Sequence, residues 1–274
     1  MKIHTATLGT APFPAVQGSF SDRMRNKSHA LTMFLLFSLV TMVIPQKAAL
    51  AADASLPPDE FGNTIINRIS EKNRVKPVAF SHWLHRKKYT CRVCHFELEF
   101  NMQHNTTEVT EKANQAGKFC GACHNGRTAF GHEKPHCEKC HNGNRGYGKE
   151  RFPELSGLPV SGFGNKKDWV KALENGLIQP IRFLTVPPPK NIAFEKQLQF
   201  EQGGGKGPAA VFPHKSHIAW LDCNNCHPDI FTMKKGAQHF TMDLNAKGQF
   251  CGVCHLTVAF PLQDCGGCHP SMRN

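Results

Sequence analysis

Apolar residues are spread unevenly along this 274-residue chain. The longest apolar run extends from about Ala30 to Ile44, with Arg23, Arg25 and Lys27 before it and Pro45 and Ala49-Leu50-Ala51 after it. At roughly 15 residues it is short for a membrane span, and the order basic, apolar, small is that of a secretory signal peptide. Residues 1–51 are read as a signal peptide, with Met24 as a candidate true start, and no membrane span is expected after cleavage. A second pattern is Trp169, Val170, Leu173 and Leu177, whose spacing predicts a short amphipathic helix over 165–178 with Asn165 as its cap and Asn175-Gly176 as its stop. Pro187-Pro188-Pro189 and Gly203-Gly204-Gly205 mark a loop. The expected fold is mostly irregular, with short α-helices.

Composition narrows this picture. Twenty phenylalanines argue against a disordered chain. The net charge of +12 is carried by scattered Lys and Arg, clustered only at Arg86-Lys87-Lys88, Lys166-Lys167 and Lys234-Lys235. There is no basic helix to track a nucleic acid, and none is expected as a partner. Twelve cysteines and 16 histidines are far more than a side-chain core needs, so part of the core is expected to come from another source.

The cysteines say what that source is. All twelve fall in pairs with a two-residue gap, each followed at once by histidine: Cys91/Cys94-His95, Cys120/Cys123-His124, Cys137/Cys140-His141, Cys223/Cys226-His227, Cys251/Cys254-His255 and Cys265/Cys268-His269. This is the attachment signature of c-type haem. Two thiols three positions apart lie on one side of a helical turn and can form thioethers with the two vinyl groups of one porphyrin. The adjacent imidazole then reaches the iron. Paired cysteines also make zinc sites or disulfides, but neither requires histidine after every pair. Six covalently attached haems are expected, with no catalytic residue.

The motifs fall into two groups of three. Phe80-Ser81-His82 stands nine residues before Cys91, Phe212-Pro213-His214 nine before Cys223, and each is followed three positions on by His85 or His217. Gly117-Lys118-Phe119-Cys120 matches Gly248-Gln249-Phe250-Cys251. The chain is therefore a tandem duplication, divided into an N-terminal arm (52–79), module 1 (80–142), a linker (143–211) and module 2 (212–274). Phe-Gly-Asn recurs at 61–63 and 163–165, a hint that the repeat begins before its histidines. Beyond the proximal histidines and the signal segment, His82, His85, His104, His132, His136, His214, His217 and His239 are available as distal ligands. Met102, Met233 and Met242 are assigned to packing.

On Phe-x-His-x-x-His and the triple attachment motifs, each unit resembles the three-haem cytochrome module of the c-seven type, within the cytochrome c3 superfamily. The resemblance implies tandem modules organised around stacked haems. It also implies distal ligation by His82, His85 and His104 in module 1, paired with His95, His124 and His141. In module 2 it implies His214, His217 and His239, paired with His227, His255 and His269. His132 and His136 have no counterpart in module 2. Iron held by two histidines has no vacant position, which favours low-potential electron carriage over catalysis. The expected setting is the periplasm, the cell surface or the exterior. Expected partners are inner-membrane or periplasmic electron donors and outer-surface acceptors. Two other readings stay open: a multihaem reductase with one open haem, and a subunit of a self-assembling extracellular filament.

Overall fold

Each module opens with a two-stranded antiparallel hairpin. In a computed structural model, which describes residues 56–189, 194–201 and 207–273, β1 (Asn63–Ile66) pairs with β2 (Val78–Ser81), and β3 (Gln197–Phe200) with β4 (Ala210–Pro213). The β-branched Thr64, Ile65, Ile66 and Val78 suit a pleated, half-buried surface. Registers correspond: Ser81 faces Asn63, and Pro213 faces Gln197. In both modules the histidine after the second strand begins a five-residue helix, His82–Arg86 and His214–Ile218. The signal-peptide reading of residues 1–51 and the Gly203–Gly205 loop lie outside the described residues.

Every described α-helix is four to six residues long, and most of the chain is turn or irregular, as the sequence leads one to expect. Two helices repeat in detail. Thr110 caps Glu111–Gln115 by accepting from the Ala113 amide at 3.2 Å, and Thr241 caps Met242–Ala246 by accepting from the Leu244 amide at 3.2 Å. A Gly at φ +78° follows each helix, Gly117 and Gly248.

The structure adds detail to the expected elements. The helix predicted over 165–178 is confined to Trp169–Glu174, and its cap is Asp168, whose Oδ1 accepts from the Lys171 amide at 3.0 Å. Asn165 is instead buried, accepting from the Trp169 indole N–H at 3.2 Å. The N-terminal arm supplies β1 and the helix Arg68–Lys72. The second Phe-Gly-Asn does not open module 2, whose first strand begins at Gln197; Phe61 packs against Gly164, where an added Cβ would come within 2.9 Å of the Phe61 ring.

The linker packs between the modules it joins. Leu155, Trp169, Ala172 and Ile178 are buried with Trp83 of module 1 and Trp220 just ahead of the first motif of module 2. The Trp83 indole donates to the Asp59 carbonyl at 3.0 Å and meets Phe152 edge-on at 5.2 Å. Burying a large apolar side chain contributes about 1.5–3 kcal/mol. The segment after module 1 is therefore a wedge that fixes one module against the other. Only eight hydrophobic residues are fully buried among those described, so this wedge is the main side-chain core.

Candidate functional site

The attachment motifs fold as single turns. In the last five, the histidine amide donates to the carbonyl of the first cysteine at 2.8–2.9 Å (Cys120, Cys137, Cys223, Cys251 and Cys265). That one-turn bond brings both thiols and the imidazole to one side. The third motifs are the most regular, with Cys137–Cys140 and Cys265–Cys268 each forming one α-helical turn. All twelve cysteines are free thiols. Gly121 and Gly252, the first spacer residues of the second motifs, lie so close to the preceding capped helix that a Cβ would fall 1.8 Å from the Asn114 or Asn245 carbonyl oxygen.

The second motif of module 1 and the first motif of module 2 end alike: the turns Phe119–Ala122 and Cys223–Asn225 are followed by Cys123 and Cys226 as caps, at φ −110° and −114°. The Tyr89 amide donates to the His85 carbonyl at 2.9 Å. Burial raises the Tyr89 hydroxyl above its ordinary value, and the neighbouring Cys123 raises it further.

The imidazoles are held in a repeated way. Nδ1 of His82 and His214 lies 2.8 Å from the carbonyls of Gly62 and Lys196, just before β1 and β3. For His85 and His217 the acceptors are Ser81 and Pro213, each at 2.8 Å. His95 and His227 use Phe100 (2.9 Å) and Phe231 (2.6 Å); His124 and His255 use Phe130 (3.1 Å) and Phe260 (2.9 Å). His141 and His269 use Lys76 (2.8 Å) and Pro208 (3.0 Å), two residues before β2 and β4. A carbonyl oxygen only accepts, so Nδ1 carries the proton and Nε2 presents its lone pair. Metal-ligating histidines are oriented in this way.

Two pairs face each other. The rings of His85 and His124 have centroids 6.3 Å apart, and those of His217 and His255 are 6.2 Å apart. Two imidazoles on opposite sides of one metal, each bound at ~2.0–2.1 Å, need about this separation. Phe80 and Phe212 stack on His85 and His217 at 4.4 and 4.1 Å, which gives the aromatic of the Phe-x-His-x-x-His pattern its purpose. Burial, with help from His95 and Arg86, lowers His82 to about 3, and burial lowers His255 to about 4. His85, His95, His124 and His217 are likewise lowered, chiefly by burial. All six are thus neutral at pH 7, the form a metal requires.

Other predicted residues are not brought to such positions. His104 is exposed, and its Nε2, not Nδ1, sits 2.8 Å from the Ile65 carbonyl. His136 places Nδ1 3.0 Å from the Glu133 carboxylate, while His132 and His239 are exposed. Met233 and Met242 are also exposed rather than packed in protein. Free paired thiols beside neutral imidazoles with Nε2 available are the donor set that covalent haem requires.

Sequence reasoning missed the joint between modules. Arg92, a spacer residue of the first motif, and Glu97 are each 2% exposed and meet at 2.7 Å, while the Arg92 Nε donates to Asp222, just before Cys223, at 3.0 Å. The Arg92 amide donates to the Trp220 carbonyl at 2.9 Å, and the Asn225 side chain to the His95 carbonyl at 2.9 Å. Burial, reinforced by Cys91 and Cys226, pushes the Cys254 thiol up to about 12, so first-motif cysteines of both modules neighbour the second motif of module 2. A spacer arginine carries no such signal in sequence, because spacers vary freely in this chain.

Two stretches, residues 78–142 and 210–270, match the family described as cytochrome c7 and related cytochrome c. Among solved structures, a c7-type three-heme cytochrome domain is 40% identical over 31% of this chain and 96% of its own, with a TM-score of 0.25. The C-terminal hexaheme fragment of GSU1996 is 27% identical over 76% of this chain and 96% of its own (TM-score 0.25), and dodecaheme cytochrome c GSU1996 is 26% identical over 77% and 75% (TM-score 0.26). No curated protein matches. The fold and motifs are those of a multihaem c-type cytochrome, an electron-transfer protein carrying covalent haem c. The chain belongs to the cytochrome c7 family.

Proposed function

We propose that this cytochrome is an exported electron carrier with six haems working at low potential between redox proteins of the cell envelope or beyond. The repeated anchoring of ten imidazoles through Nδ1 carries this reading. When bound, haem supplies a one-electron iron couple. The cysteines fix each group to its turn, and His95, His124, His141, His227, His255 and His269 serve as proximal ligands. His82, His85, His214 and His217 serve as distal ligands, with backbone carbonyls setting their orientation, and the family resemblance assigns the remaining two distal positions to His104 and His239. Histidine in place of an axial methionine removes one influence that raises potential. The basic segment and apolar run ahead of residue 51 support export.

One observation favours a second reading for the third site of module 1. Family resemblance assigns its distal position to His104, whose Nε2 is engaged by the Ile65 carbonyl. In module 2 the corresponding assignment is His239. An open third haem in module 1 would accept a small exogenous ligand, as a reductase requires. Intact mass with a visible spectrum of the purified protein tests both readings. Six haems, all low-spin and inert to carbon monoxide, support the carrier. A high-spin fraction near one in six supports the open site, and a colourless protein with the mass of bare polypeptide overturns both.

A further inference from the structure

Arg86 ends the helix that carries His82 and His85, yet its guanidinium leaves module 1. Its Nη2 donates to the carbonyl of Val258, three residues after His255, at 3.2 Å. Its Cζ lies 5.2 Å from the Trp169 ring centroid and 5.9 Å from that of Trp220. It therefore touches the wedge, the approach to the first motif of module 2, and the second motif of module 2. Among the described residues no carboxylate pairs with it. Two indole faces accommodate a desolvated cation, and a guanidinium stays charged. Its charge acts on Cys91 and His82 on one side and on Cys254 and His255 on the other.

We propose that Arg86 is a positioning residue for charge: a fixed cation at the module joint, held by the Val258 carbonyl and two indole rings and paired with no carboxylate among the described residues. It favours the reduced state of the Cys91/Cys94 and Cys251/Cys254 sites and makes that pair the crossing point for electrons between modules. This rests on the six-haem reading above. In each crossing one electron leaves one site and one arrives at the other, and Arg86 undergoes no bond change. An arriving electron adds one negative charge to its site, and a cation in a partly water-excluded joint offsets it with little screening. The crossing point then joins the first motif of module 1 to the second motif of module 2, not the two motifs that flank the linker in sequence.

The test is a potentiometric titration of the holoprotein and of Arg86→Met, Arg86→Gln and Arg86→Lys, with haem number measured by intact mass. Lys87→Met, which removes an adjacent exposed charge paired with Glu154, serves as the control. The neutral variants should keep six haems and show two components shifted to lower potential, about tenfold in reduction equilibrium, or about 59 mV for one electron. Arg86→Lys should recover most of the shift, and Lys87→Met should leave these components in place. Unmoved midpoints in a six-haem neutral variant overturn the proposal. A lysine variant that behaves like methionine overturns it as well, since charge would not be the cause. Loss of haem in both neutral variants overturns it by making Arg86 a structural clamp. A wild-type protein without six haems would instead defeat the parent reading.

Discussion

Arg92 and Asp222 meet at 3.0 Å across 130 residues of chain, one inside the first attachment motif of module 1 and the other abutting the first motif of module 2. With Glu97 they form a nearly buried ionic triad that locks two haem-attachment turns together. The turns themselves therefore hold the modules together, alongside the wedge formed by the linker.

Removing Arg92 should be costly. Arg92→Met strands Glu97 without its cation at a site 2% exposed, and breaking a buried pair from one side costs about 3–5 kcal/mol. Denaturant unfolding of the holoprotein should show a loss of that order. The paired variant Arg92→Met/Asp222→Asn should lose less than the sum of the single variants. A wild-type midpoint in Arg92→Met would show that the triad holds nothing.

The same triad predicts an acid limit. Burial alone would raise the Glu97 carboxyl, but the Thr185, Val186 and Leu184 amides and the Arg92 guanidinium outweigh it and hold the group below its ordinary value. A lowered folded pKa gives stability that is complete above the unfolded value of about 4.3 and is lost as pH falls through the folded value. Unfolding free energy should therefore drop as pH falls from about 5. Glu97→Gln should flatten that drop, and an unchanged slope would remove Glu97 from the account.

Two glycines should be irreplaceable. Gly121→Ala and Gly252→Ala each force a Cβ against a backbone oxygen in the capped helix behind the motif. Each variant should yield protein with one haem fewer, read directly by intact mass, while alanine at exposed Gly157, where nothing lies within 4 Å, should retain the full set.

Distal roles separate by spectrum. His85→Gln and His217→Gln remove one ring of each facing pair and should each convert one haem to a high-spin, carbon monoxide-binding form. His104→Gln should leave the low-spin fraction unchanged, because the His104 Nε2 already faces the Ile65 carbonyl. A high-spin signal from His104→Gln would return that residue to the ligand set.

What the sequence disclosed is what covalent chemistry keeps local. Two thiols and an imidazole must share one turn, so the six motifs are visible as spacing, and so is the stacking phenylalanine beside His85 or His217. The hairpins were not legible, because Gln-Leu-Gln-Phe and Asn-Thr-Ile-Ile are too short for a periodicity to emerge. The carbonyls that orient His141 and His269 come from residues 65 and 61 positions away and are main-chain atoms, which leave no residue-type signature. The burial of the wedge was not legible, because it depends on Trp83 and Trp220 from the flanking modules. The Arg92 triad brings together residues whose local contexts show nothing of one another.

The triad also differs between the duplicated halves. Where module 1 has Arg92, module 2 has Asn224, and where module 2 has Asp222, module 1 has Thr90. Each half supplies a different side of the contact, so the interface is heterologous, of the kind that propagates when copies repeat it. Here the next copy in line would meet a neutral amide in place of the guanidinium. The positions that build the joint in one direction therefore do not repeat it in the other, and the Arg92 contact belongs to this one pairing of modules.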